Sequence, residues 1–247
     1  MALPKIGVPT YELKLPSTGK TIKYRPFLVK EEKVLLLAFE SGVEKEVVTA
    51  VKSILKSCIL SRLKVDDLPS FDLEYLFLKI RGAAVGEDIE LTVTCTDDNE
   101  TTTTATINID DVIVDKPEGH TNKIMLDEES GIVMRYPSMD RFIESQFLDK
   151  NVTTDEVFTF IADHIDQIFQ GEDVYDSSTT SKKEFREFVE SLTTKQFEAI
   201  QKFYETMPRL THTFTVINPN TGNECSYTIE GLPVSYTHLT LPTKQAV

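Results

Sequence analysis

"DIELTVTC", residues 88–95, and "TTTTATINI", residues 101–109, alternate apolar and polar side chains with the period of two that half-buried strands show. The polar run 96–100 between them is typical of a hairpin turn. Helical periodicity dominates the chain before and after this stretch. The sequence therefore predicts an α+β protein in which antiparallel β-hairpins are flanked by helical segments.

Three further hairpins are predicted by the same alternation and by the turn residues at their tips. The first covers residues 11–24, where Gly19 supplies the turn conformation that other residues avoid. The second joins "NKIMLD" to "GIVMRYP" within residues 122–137. The third joins "THTFTVI", residues 211–217, to "ECSYTIEGL", residues 224–232, around an Asn-Pro-Asn-Thr-Gly tip.

Apolar residues at helical spacing predict three helices in the first third of the chain, over residues 29–42, 44–63 and 70–86. Three more helix starts follow in the second half, each with capping-box spacing. The pairs are Thr153 with Glu156, Ser181 with Glu184, and Thr193 with Gln196. The helix beginning near Thr153 is predicted to run through Ile161, Ile165 and Ile168, and residues 171–183 to form a polar loop.

The composition narrows the classes of partner. The chain has 247 residues, 40% of them hydrophobic, which is enough to build a core in one or two domains. Its formal net charge of −14 argues against nucleic acid or an anionic membrane as the main partner, since both require clustered Lys and Arg. No apolar run approaches the roughly 20 residues of a membrane helix. An acidic surface of this kind is either simply solvated or suited to docking on a basic protein.

Domain boundaries are predicted from breaks in pattern. The loop "VDKPEGHTN", residues 114–122, divides an N-terminal part, residues 1–116, from a second part, residues 117–232, that holds the second hairpin, a helical segment and the C-terminal hairpin. The stretch from residue 233 to 247 shows neither the apolar spacing of a helix nor the alternation of a strand. It resembles a tail found on unrelated proteins predicted from environmental sequencing, where adapter sequence is translated as coding. These residues are therefore expected to be non-native.

No catalytic constellation emerges from the residues. "STGKT" ends like a phosphate-binding loop, but position 14 is Lys14 rather than glycine, and a strand pattern follows Thr21. His120, His164 and His212 each stand alone. Cys58, Cys95 and Cys225 form no CxxC pair, and a shared Cys95–Cys225 metal site would be two ligands short. We therefore predict no catalytic residue, no cofactor, no metal and no small-molecule substrate.

Two stretches carry a family resemblance. "LPSTGKTIKYRPFLVKEEKVLLLA" and "FDLEYLFLKIRGAAVGE" resemble the baseplate protein family of T-even-type contractile-tailed bacteriophages, which includes the baseplate hub assembly subunit. The resemblance covers residues 1–232. It implies a structural or assembly protein of the tail hub, made in the host bacterial cytoplasm, incorporated in the virion and without enzymatic activity. "CTDDNE" and "NPNTGNE" do not match the cysteine-bearing turns of some relatives, so the resemblance implies no metal.

The expected partners are other baseplate and tail hub proteins. Tyr24, Arg25 and Phe27 combine side chains that are favoured at interface hot spots, and they are the predicted partner-binding residues. Packing of the same side chains into their own domain is the alternative. Two other functions stay open at this point: an assembly chaperone absent from the mature virion, and a nucleotide-binding enzyme that uses the "STGKT" segment.

Overall fold

The computed structural model describes residues 7–141 and 153–231, which form two compact units. The first unit comprises Met1–Asp115 and Arg209–Val247, and the second comprises Lys116–Pro208. The sequence predicts the C-terminal hairpin in the second part of the chain, whereas the structure groups it with the first unit. The reason is long-range strand pairing, which no local pattern records. The predicted non-native tail, residues 233–247, lies outside the described residues.

Runs of helices and runs of antiparallel strands follow one another along the chain, as is typical of an α+β fold. The strands are β1 Tyr11–Lys14, β2 Thr21–Tyr24, β3 Asp88–Thr94, β4 Thr102–Asn108, β5 Ile113–Asp115, β6 Lys123–Met125, β7 Ser130–Met134, β8 Ile165–Gln170, β9 Asp173–Asp176, β10 Arg209–Ile217 and β11 Glu224–Glu230. The helices are α1 Val29–Ser41, α2 Glu44–Cys58, α3 Ser70–Val85, α4 Thr154–Asp163, α5 Lys182–Ser191 and α6 Thr194–Glu205. The predicted fold class is confirmed.

The first unit is built around α3. This helix is buried on most sides, because its apolar residues occupy far more than one face. The two-stranded sheets β1–β2 and β3–β4 are antiparallel hairpins, and β10 lies between β11 and β5 in a three-stranded antiparallel sheet. Leu78 of α3 packs with Ile89 of β3 and Leu210 of β10 in one core. That core holds both long hairpins on the same helix.

The second unit is an antiparallel sheet in the order β6–β7–β8–β9 with helices packed on it. Ile132 of β7 and Ile165 of β8 share a core with Ile161 of α4, while Phe185 and Phe203 bring in α5 and α6. Close packing at one point requires glycine, because a Cβ on Gly131 would lie 2.6 Å from the backbone carbonyl oxygen of Ile124 and would also overlap the Phe169 ring. All three predicted capping boxes are confirmed at the starts of α4, α5 and α6.

The prediction that the Thr153 helix runs through Ile165 and Ile168 is wrong. Helix α4 ends at Asp163, and both isoleucines lie on strand β8. The register between β7 and β8 shifts beside Met134, so that an extra residue enters β8. A bulge of this kind spaces two inward side chains three residues apart instead of two. Three-residue spacing is also helical spacing, and for that reason the sequence pattern predicts a helix here.

Two smaller predictions also need correction. Residues 173–176, expected within a polar loop, form the edge strand β9, whose charged residues are typical of sheet edges. Helix α2 ends at Cys58 instead of near residue 63, because the chain there pairs with β2. The Leu60 N–H donates to the Lys23 carbonyl at 2.8 Å, and Ile59 bridges Tyr24.

Within the described ranges, no helix is long and apolar enough to cross a lipid bilayer.

Candidate functional site

The residues predicted to bind a partner are largely engaged inside the first unit. Tyr24 and Phe27 are buried, and Tyr24 stacks against Tyr11 at 5.6 Å between ring centroids. The Arg25 guanidinium forms two hydrogen bonds with the Glu31 carboxylate, at 2.8 and 3.1 Å. The structure therefore gives these three side chains an internal role, and partner binding by them stays a prediction.

Arg25 and Glu31 connect three elements. Arg25 leaves the end of β2 and also donates to the carbonyl of Ser57 in α2 at 3.0 Å. Glu31, in the first turn of α1, accepts the Leu28 N–H at 2.6 Å and so caps that helix. Hydrogen bonding to Arg25 is the main cause that lowers the pKa of Glu31, so this carboxylate stays charged although it is mostly buried. The pair fixes the position of α1 on α2.

The outer side of α1 is unusually apolar. Its inner side buries Leu35 and Ala38, but large apolar side chains also point to solvent, with Val29 81% and Leu37 55% exposed. We call this outer surface the α1 face, and it consists of Val29, Val34, Leu36 and Leu37. The sequence predictions missed this surface, although the run Val34–Ala38 contains more consecutive apolar residues than one helical face can bury, and that run is the signal that could have found it.

A second cluster joins the tips of two hairpins in the first unit. Asn218, fully buried at the end of β10, donates from its side-chain amide to Asp97 at 2.7 Å and to Asp98 at 3.0 Å. Thr221 and Asn223 also donate to Asp97, and the Cys225 thiol lies 3.4 Å from the same carboxylate. We call this network of Asp97, Asp98, Asn218, Thr221, Asn223 and Cys225 the tip clamp.

The tip clamp holds carboxylates in their charged form. Hydrogen bonds from Thr221 and then Asn218 lower the pKa of Asp97 to about 2, and bonds from Thr101 are the main cause that lowers the pKa of Asp98. Cys95, Asp97 and Cys225 offer three donor atoms within 4.8 Å of one another, and they are the only such metal-type group in the described part of the chain. Both Asp97 oxygens already accept hydrogen bonds from the tip that joins β10 to β11, which suits a structural network connecting β3–β4 to β10–β11.

Removal of the Asn218 amide is expected to loosen the two hairpins. Asn218→Ala takes a donor from Asp97 and Asp98 and also breaks the turn bonds that the Asn218 side chain accepts from the N–H groups of Asn220 and Thr221. We expect the melting temperature of the first unit to fall by roughly 5–10 °C. Asn223→Ala, which removes an exposed amide with one bond to Asp97, is the control and should cost much less. Equal losses in the two variants would contradict a buried clamp.

The "STGKT" segment does not have the geometry of a phosphate site. Gly19 adopts a left-handed conformation with φ of 67°, and the chain enters strand β2 at Thr21. A phosphate loop needs a helix N-terminus at this position, with N–H groups directed at the anion. The backbone N–H of Gly19 instead donates to the backbone carbonyl of Leu15 at 2.8 Å, as in an ordinary hairpin turn.

The second unit carries an open groove of ≈ 520 Å³. We call it the β9 groove. Apolar and polar residues both line it. The apolar and aromatic ones are Leu126, Ile168, Phe169, Tyr175, Phe188 and Leu192, and the uncharged polar ones are Ser130, Gln170, Thr180, Ser191 and Gln196. Asp127 and Glu184 lie at its lining. Both carboxylates are fixed by local hydrogen bonds, Asp127 by the N–H groups of residues 129 and 130 and Glu184 by Ser181, and these bonds lower their pKa values.

Comparison with known proteins identifies one family. The model of a family described as "T4 bacteriophage base plate protein" matches residues 8–234, which is most of the chain. No curated protein and no solved structure matches it.

Proposed function

The chain belongs to the T4 bacteriophage base plate protein family, and from this premise we propose that it is a structural or assembly component of the hub region of a contractile-tail baseplate. It acts by protein–protein interaction, in the virion, after synthesis in the host cytoplasm. Its partners are other baseplate and tail hub proteins. The proposal includes no catalytic step, in agreement with a site whose carboxylates, thiols and arginine serve structural contacts.

The α1 face is the observation that carries this proposal. A contiguous group of exposed aliphatic side chains on one helix is unfavourable in water and is typical of a surface that another protein covers. The helix is also held firmly, because Arg25 binds its first turn through Glu31 at 2.8 Å. A rigid helix that presents an apolar face matches the helix-in-groove mode of recognition. The predicted binding segment Tyr24–Phe27 thus stabilises helix α1 from inside the first unit, through the bonds from Arg25 to Glu31.

Introduction of a charge into the α1 face is expected to abolish partner capture. Leu37→Glu keeps a good helix former but places a carboxylate where apolar contact is needed. Tagged full-length chain should recover tail hub proteins from lysates of phage-infected cells, as identified by mass spectrometry, and the Leu37→Glu variant should recover at least tenfold less.

Val85→Glu is the matched control, since Val85 at the end of α3 is 56% exposed and Leu37 is 55% exposed. The control variant should recover the same proteins as the parent chain. Failure of the parent chain to capture any baseplate protein would overturn the proposed function. Capture that survives Leu37→Glu would remove the α1 face from it.

A further inference from the structure

We propose that Cys95 and Cys225 form a redox modification site, at which oxidation joins the two long hairpins of the first unit by a disulfide bond. The oxidant is a low-molecular-weight disulfide such as oxidised glutathione. This modification is separate from the proposed function, because it is a covalent change within one chain and involves no partner protein.

The two thiols lie side by side in the fold, although more than a hundred positions separate them in the sequence. Cys95 directly follows β3, and Cys225 is the second residue of β11. Their Sγ atoms lie within 4.8 Å of each other. Cys95 is fully buried and Cys225 is 2% exposed, in a small core that also contains Ala105 of β4 and Val216 of β10. The pair therefore lies where the two hairpins meet.

The pair suits a disulfide better than a metal ion. The Asp97 carboxylate is the third donor group beside the thiols, but its two oxygens already accept hydrogen bonds from Asn218 and Thr221. The two thiols alone leave a structural zinc site, which takes four protein ligands, two ligands short. A disulfide requires nothing beyond the two sulfur atoms.

Formation of the bond requires only a small movement. The S–S bond of a disulfide is about 2.05 Å long, so the two sulfur atoms must approach each other by less than about 3 Å. Rotation of one cysteine side chain from one staggered rotamer to another moves its sulfur atom by about this distance. The hydrogen bond from the Cys225 thiol to Asp97, at 3.4 Å, is lost on oxidation, while the bonds from Asn218 and Thr221 remain.

The reaction is a thiol–disulfide exchange in two steps. The Cys225 thiolate attacks one sulfur of oxidised glutathione, which forms a mixed disulfide and releases one glutathione thiolate. The Cys95 thiolate then attacks the Cys225 sulfur, which closes the bond between the hairpins and releases the second glutathione. The protons of the two cysteines pass to the two glutathione thiolates, so the protein is oxidised by two electrons and glutathione disulfide is reduced by two.

The surroundings of the thiols set the rate of this exchange. Burial is the main cause that raises the pKa of Cys95, and the charge of Asp97 acts in the same direction. The thiolate is the reactive form, so oxidation of the folded chain should be slow at neutral pH and faster as the pH rises.

The test treats the reduced, folded full-length chain with an excess of oxidised glutathione in the absence of denaturant. Peptide mass spectrometry without reduction should recover the Cys95 and Cys225 peptides joined to each other within a monomer. The melting temperature of the first unit should rise by about 5–15 °C, because a bond that closes such a long loop restricts the unfolded chain. Dithiothreitol should reverse the rise.

Two variants serve as controls, and each is compared with itself before and after oxidation, so that any effect of the substitution on the fold cancels. Cys225→Ser keeps a hydroxyl that can donate to Asp97 but cannot form the bond, and its melting temperature should not change on oxidation. Cys58→Ser removes the third cysteine, which is also fully buried, at the end of α2. This variant should form the bond and gain the same rise as the parent chain.

Five results would overturn the inference. They are thiols that stay reduced, glutathione attached to either cysteine without a joined peptide, a joined peptide that contains Cys58, a bond that forms only after urea has unfolded the chain, and a joined peptide without a rise in the melting temperature. The first four would show that the folded chain does not bring Cys95 and Cys225 into reacting distance. The last would show that the bond does not stabilise the contact between the hairpins.

Discussion

Replacement of Arg25 by methionine is expected to lower the free energy of unfolding of the first unit by about 3 kcal/mol, because it leaves a buried carboxylate without its cation. The Arg25 and Glu31 side chains are only 16% and 8% exposed, so water cannot replace the lost bonds well. The substitution also removes the Arg25 bonds to the carbonyls of Pro26 and Ser57. The methionine side chain keeps most of the packing volume.

The measurement is urea unfolding followed by circular dichroism, with hydrogen exchange of α1 and α2 peptides to show that the loss lies in the first unit. Lys23→Met is the control. It breaks the Lys23–Glu12 ion pair, whose side chains are 65% and 61% exposed, and exposed pairs contribute at most about 1 kcal/mol. Adding Glu31→Gln to Arg25→Met should recover part of the loss, since the buried charge is then gone. A loss no larger than that of the control would show that the pair is not structural.

The pH dependence of the Arg25–Glu31 pair follows from the lowered pKa of Glu31. The unfolded chain takes up a proton on this carboxyl near its ordinary pKa of 4.5, while the folded chain resists until lower pH. The contribution of the pair to stability is therefore fully present above that value and is lost as the pH falls through the folded pKa.

The local elements were predictable from the sequence because local chemistry determines them. Gly19 and the alternation that follows it define the first hairpin, and Gly42, with φ of 66°, ends α1 where the sequence predicted. Each capping box requires only two residues that lie three positions apart, so it can be recognised from the sequence alone. Such signals do not depend on the rest of the fold.

The missed features depend on distant residues. The hydrogen bond from Asn218 to Asp97 joins residues that are more than a hundred positions apart in the sequence. No local sequence pattern around either residue predicts it. The bulge in β8 exists only relative to β7, and it makes Ile165 and Ile168 look helical. The prediction of hot-spot residues depends on residue type alone, whereas the burial of Tyr24 and Phe27 is a property of the assembled unit. Residue type indicates what a side chain can contact, whereas the fold decides which contact it makes.

Glu74 is expected to destabilise the first unit at neutral pH, so that Glu74→Gln raises the free energy of unfolding. The carboxyl is buried on α3, beside Gly231, and burial raises its pKa from 4.5 to about 8. The unfolded chain releases this proton near pH 4.5 and the folded chain holds it until about pH 8. The folded state thus binds more protons between these values, and its stability must fall as the pH rises through them.

Glutamine has nearly the same shape as glutamate, and its side chain does not titrate in this pH range. The glutamine variant therefore does not lose stability in this way as the pH rises. At about 1.4 kcal/mol per pH unit over roughly 2.5 units, the gain at pH 7 is about 3 kcal/mol. Urea unfolding of both proteins at several pH values should give curves that coincide near pH 4.5 and diverge above it. Glu87→Gln, at an exposed position just after α3, is the control and should change the free energy of unfolding at pH 7 by less than about 0.5 kcal/mol. Parallel curves for Glu74→Gln and the parent chain would mean that the carboxyl ionises in the folded state as it does in the unfolded chain, and that α3 admits water at this turn.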